Sequence, residues 1–206
     1  WVGNRSNVRT TVPNSLERTA LKQPIELLMQ GGHRAVALIA QLTCAFGLRF
    51  KEASLINAKQ ALNQANRLGR INITQGTKGG RGKGSERWVP ITRSAQTNLL
   101  TQAAELQDQE KAKNLIPANK SYIQWRDHAY YQWRIINKET AINGFHDMRA
   151  AYACERYQAI TGFPAPVITG ARQADKTLDT QARVILSQEL GHNRIDVLAA
   201  YIGSSQ

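Results

Sequence analysis

The apolar positions of this chain recur at helical spacing along most of its length, interrupted by glycines and by one stretch rich in β-branched and aromatic residues. Residues 1–14 (WVGNRSNVRTTVPN) show no period and read as an N-terminal arm or linker. Ser15 can cap a first helix, Pro24 suits the start of a second, and Gly31-Gly32 ends that one. The densest apolar run, 35–42 (AVALIAQL), predicts a buried helix over about 33–46 that stops at Gly47. Arg49 therefore stands at a helix junction, with Phe50-Lys51-Glu52-Ala53 opening the next helix. Residues 70–75 (RINITQ) and 87–91 (RWVPI) predict the strands of a hairpin, and TKGGRGKGSE between them makes a long basic loop. Helices follow over about 92–113, 121–137 and 145–160, whereas 161–177, with two prolines and two glycines, reads as a loop or an inserted excursion. A helix over about 178–190 ends at Gly191, and a last one, capped by Asn193 with Asp196 three residues on, carries Tyr201 near its end. The fold class is mainly α with a small antiparallel β-sheet (α+β), in one domain over 15–206.

Charge narrows the choice of partner. Lys and Arg number 27 against 15 Asp and Glu, a formal charge of +12, which favours a polyanion. No apolar run approaches the roughly 18 residues of a membrane span, and no secretory signal precedes the first helix. Cys44 and Cys154 are too few for a disulfide framework and lack neighbours at metal-ligand spacing, so a reducing, intracellular compartment is expected and both thiols are expected to be buried. Trp88, Trp125 and Trp133 read as core or interface aromatics, and His33 and His128 have no partner pattern. Trp1 in place of an initiator methionine points to a piece of a longer protein.

Several short motifs carry candidate chemistry. Gly-Lys-Gly-Ser at 82–85 invites a nucleotide P-loop reading, but G-x-x-x-x-G-K-[ST] counted from Gly76 places Arg81 on the second glycine, and from Gly79 places Ser85 on the lysine. What remains is a basic hairpin tip with Lys78, Arg81, Lys83 and Arg87, suited to a phosphate backbone. His146 and Arg149, three apart on a predicted helix, project from one face. His192 follows a helix end in Leu190-Gly191-His192, and Tyr201 comes nine residues later. Nine residues of straight helix span roughly 13 Å, so on such a helix these two would meet only across a bound group or between subunits.

Taken in order, G-L-R-x-x-E at 47–52, a hairpin lysine, H-x-x-R at 146–149, L-G-H at 190–192 and the later tyrosine resemble the catalytic domain of the tyrosine recombinases, the phage-integrase family. The resemblance covers about 15–203, with the two arginines 100 residues apart as is typical of the family. It implies that Arg49 and Arg149 clamp the scissile phosphate, that His146 serves as base and His192 as phosphate donor, that Tyr201 is the nucleophile, and that Glu52 orients Arg49. Lys78 is the choice for the leaving-group acid because Thr-Lys-Gly-Gly directly follows the first strand; Lys83 is the competitor. Arg81, Lys83 and Arg87 are expected to contact DNA.

The resemblance further implies site-specific cleavage and rejoining of double-stranded DNA through a covalent 3′-phosphotyrosine, with no ATP, metal or other cofactor. It implies a tetramer on DNA through C-terminal exchange, and a cytoplasmic setting at the nucleoid of a bacterial or phage-infected cell. Two departures stand out. The interval from His146 to His192 is lengthened in the Pro/Gly-rich stretch, and the upstream core-binding domain is absent from this chain. Other classes compatible with the charge are a non-catalytic DNA-binding relative on the same fold, a type IB topoisomerase and, last, a basic RNA-binding domain.

Overall fold

The computed structural model describes residues 7–77, 86–140, 142–192 and 194–206. After two 3₁₀ turns, Asn14–Leu16 and Arg18–Leu21, come helices α1 (Lys22–Gln30), α2 (Arg34–Phe46), α3 (Phe50–Leu55) and α4 (Ala58–Leu68). Strands β1 (Arg70–Asn72) and β2 (Trp88–Pro90) form a two-stranded antiparallel sheet in which Ile71 faces Val89. Helices α5 (Ser94–Gln109), α6 (Tyr122–Thr140), α7 (Phe145–Thr161), α8 (Pro166–Thr169) and α9 (Lys176–Glu189) follow, and a 3₁₀ turn, Asp196–Leu198, leads into α10 (Ala199–Ile202).

Helix α2 is the axis of the core. Leu38, Ile39, Leu42 and Phe46 are buried, and the helix packs against α1, α3, α5 and α7. Truncating any one of those side chains to alanine removes about 2–5 kcal/mol of stability. Trp125 and Trp133 anchor α6 inside the core, their indole N–H groups donating to Ser54 Oγ and the Asn143 carbonyl, both at 3.2 Å. Both cysteines are buried thiols, and burial pushes Cys154 up to about 12. Among the described residues no helix is long and apolar enough to cross a membrane.

Three sequence expectations change. The described part of the arm is docked: the Arg9 N–H donates to the Ala199 carbonyl (2.8 Å), and its guanidinium pairs with buried Asp147, which also accepts from Ser15 Oγ (2.8 Å). The stretch 161–177 contains α8 and ends in a true cap, the Asp175 carboxylate accepting from the Leu178 N–H (2.9 Å). The predicted last helix is replaced by a turn, the 3₁₀ segment and four-residue α10, with Asn193 lying outside the described residues. The reason is local competition for backbone groups: Ser187 Oγ donates to the carbonyls of His192 (2.8 Å) and Arg194 (3.2 Å), while the His192 N–H returns to Ser187 O (2.7 Å).

Candidate active site

The site begins where α2 ends. Gly47 has φ +62°, and a Cβ there would lie 2.4 Å from the Tyr152 ring and 2.8 Å from Leu190, so only glycine lets the chain turn at this point. The turn aims the Gly47 carbonyl inward, where it accepts from Arg87 Nη2 (3.2 Å) and from Arg149 Nη1. Two residues on, Arg49 occupies the N-cap position of α3 in extended conformation, and Glu52 reaches back to accept from its N–H and from Nη1, both at 2.7 Å.

Glu52, 1 % exposed, is the hub. Its Oε1 also lies 2.6 Å from Arg87 Nη1, an ion pair bent off the N–H direction, and its Oε2 lies 3.7 Å from Arg149 Nη1. Burial raises its pKa, but the attraction of Arg87, Arg149 and Arg49 outweighs this and holds the carboxyl below its usual range. Three guanidinium groups thus surround one carboxylate, leaving a local excess of two positive charges. Only Arg49 among them is appreciably open to solvent, with 26 % of its side chain exposed.

Arg149 projects from α7 into the centre of the site. Its Nη2 donates to the Leu190 carbonyl and lies 3.2 Å from His192 Nε2, and its Nε donates to Tyr201 Oη at 3.2 Å. His192 Nε2 is also 3.3 Å from Tyr201 Oη. A guanidinium only donates, so His192 Nε2 carries a lone pair toward Arg149 and the phenol, and its proton sits on Nδ1. Desolvation, reinforced by Arg149 and Arg49, pushes His192 down to about 4 and keeps it neutral. His146, exposed on the same face of α7, stacks obliquely on the Tyr201 ring with centroids 5.2 Å apart.

The structure therefore brings Arg49, Glu52, His146, Arg149, His192 and Tyr201 together. His192 and Tyr201 meet directly, against the separation a straight helix would impose, because α9 ends before Gly191 (φ +67°) and a separate 3₁₀ segment precedes α10. Lys78, Arg81 and Lys83 lie outside the described residues.

Arg87 corrects the sequence reading. It is 1 % exposed, with Nε donating to the Glu189 carbonyl (2.7 Å), so it is a buried strut beneath the site and not a DNA-facing cation. Burial, with Arg149 and Arg49 adding to it against the pull of Glu52, lowers it to about 10, where it stays protonated near neutrality. The available signal was parity: Arg87 is two residues from Val89, and alternate strand residues share a face. A second buried carboxylate that sequence reasoning missed is Glu189, which accepts from Tyr152 Oη (2.7 Å) and pairs with Arg156, bracing α9 against α7.

An integrase family model matches residues 7–155, well over half of the chain, and the matched span holds Arg49, Glu52, Arg87, His146 and Arg149. The chain belongs to the integrase family, as a catalytic domain of the phage-integrase type, which gives it a recombinase or integrase role with DNA as partner. No curated protein matches it.

Proposed function

We propose that this domain cleaves and rejoins double-stranded DNA at specific sites through a 3′-phosphotyrosine on Tyr201. The observation that carries the reading is the position of the Tyr201 oxygen, within 3.3 Å of both Arg149 Nε and His192 Nε2 in a site with surplus positive charge. A phosphodiester attacked at phosphorus gathers negative charge on its non-bridging oxygens, and fixed guanidinium groups at Arg49 and Arg149 offset that charge without reorganising. Tyr201 gives its phenolic proton to a neighbouring imidazole as its oxygen bonds to phosphorus, and the 5′-oxygen departs with a proton from Lys78, or from Lys83 as the alternative. A 5′-hydroxyl from a partner strand reverses the steps, so the phosphate bond is conserved.

The resemblance casts His146 as the base. The contacts favour His192, whose unprotonated Nε2 already faces the phenol; once protonated it becomes a donor to the phosphoryl oxygen, so one ring serves both roles in turn. Exchange between two duplexes calls for four protomers on DNA, in the nucleoid of a bacterial or phage-infected cell and in the service of a mobile element.

A nicked suicide substrate tests the reading by denaturing electrophoresis with the full-length protein. Wild type should give a denaturation-resistant adduct and Tyr201→Phe none, with DNA affinity within about twofold because one hydroxyl and little packing area are lost. An adduct from the Phe variant assigns the nucleophile elsewhere. DNA binding without any wild-type adduct leaves the non-catalytic relative as the answer.

A further inference from the structure

The chemistry above uses neither the lengthened stretch between α7 and α9 nor the buried charges beneath it. Asp179 and Arg183 on α9 are 1 % and 4 % exposed and paired at 2.9 Å. Tyr157 Oη donates to the other Asp179 oxygen (2.8 Å), and Arg183 Nη2 donates to the carbonyl of Gly203 (3.2 Å). The network thus ends two residues beyond Tyr201.

The same short tail is held from the other side. Arg172 Nε donates to the Ser205 carbonyl (2.9 Å), its backbone N–H to that of Gln206 (3.4 Å), and its Nη1 to Ala174, which folds the loop around the side chain. At Gly203, φ is +86° and an added Cβ would stand 2.7 Å from the Val167 nitrogen, so the backbone of α8 lies directly on the tail.

Tyr201 sits on a helix of four residues, too short to hold its own place. Arg149 and His192 hold its hydroxyl and the Arg9 N–H holds the Ala199 carbonyl before it, while the segment after it depends on the contacts just described. We propose that residues 163–175 form a clamp fixing the segment after the nucleophile to its own protomer, with Arg172 and Arg183 as positioning residues, so that the phenol is delivered in cis. This rests on the phosphotyrosine reading, and it requires any segment exchanged between protomers to begin beyond the gripped residues.

Amide hydrogen exchange in full-length protein tests the clamp without relying on catalysis. Arg172→Ala and Gly203→Ala should each speed exchange at 199–203 about tenfold or more, with α2 and α7 unchanged, since only a low-cost local opening is affected. Unchanged exchange at 199–203 overturns the clamp. On the suicide substrate, Arg172→Ala should slow adduct formation about tenfold at saturating DNA, because small misplacements of a reacting atom are costly, and Arg172→Lys should recover part of the loss. An undiminished rate removes the positioning role. Mixing Tyr201→Phe with Arg149→Ala should give no adduct; a recovered adduct means delivery in trans and overturns the cis assignment. If wild type forms no adduct while the exchange results hold, the phosphotyrosine reading fails and the clamp remains only as a structural element.

Discussion

At the scale of single residues, the site is organised by one carboxylate. Glu52 fixes Arg49 through two contacts and shares its remaining capacity between Arg87 and Arg149, so it sets the geometry of the guanidinium cluster while itself buried. Arg87→Met, which keeps much of the volume but leaves the Glu189 carbonyl without the Arg87 donor while Glu52 retains Arg49 and Arg149, should lower stability by about 1–3 kcal/mol in denaturant titration. The same variant should leave the salt dependence of DNA binding unchanged. A change in that slope would return Arg87 to the DNA surface. His192 offers a pH signature. Its folded pKa lies below the ordinary 6.5, so the unfolded chain binds the extra proton. Its contribution to stability is complete above about 6.5 and is lost as pH falls toward 4. Imidazole NMR of the free protein should show this low titration, and inorganic phosphate should move it upward. A ring titrating at the ordinary value in the free protein would contradict the neutral His192 invoked as proton acceptor.

Among the elements, the hairpin is the natural test of leaving-group protonation. A substrate with sulfur at the departing 5′ position releases a thiolate that needs no proton, so Lys78→Ala should be slow on the oxygen substrate and largely rescued on the sulfur one. Rescue confined to Lys83→Ala moves the role to Lys83; rescue with neither places the acid outside the hairpin. Long helices were readable because an apolar stripe and a terminal glycine are both local signals, as with α2 and Gly47. The gathering of Arg49, His146, Arg149, His192 and Tyr201 was foreshadowed by the distinctive order of arginine, histidine and tyrosine along the chain. Less was readable where tertiary contacts decide. The final turn depends on Ser187 capturing two carbonyls, the arm on a salt bridge to Asp147 from far along the chain, and Arg87 on an inward face hidden by its basic neighbours in sequence.

The whole molecule carries +12, far more than the active site alone accounts for. Each phosphate contact made by lysine or arginine releases counterions and contributes a log–log slope of about −0.9 on duplex DNA, so affinity should fall steeply between dilute and physiological salt. An affinity indifferent to salt would show that the surface charge does not meet the backbone.

The excess positive charge around Glu52 also has a bearing on the protein's lifetime. Crowded guanidinium groups repel one another in the free domain, and a phosphodiester brought against the exposed Arg49 would offset part of that repulsion, so bound DNA should stabilise the fold. By mass action, binding at a hundred times its dissociation constant adds about 2.7 kcal/mol to stability. Off DNA the domain should therefore open more often and be more readily degraded by proteases. Abundance would then track the supply of sites, limiting the protein to roughly what the available DNA can occupy.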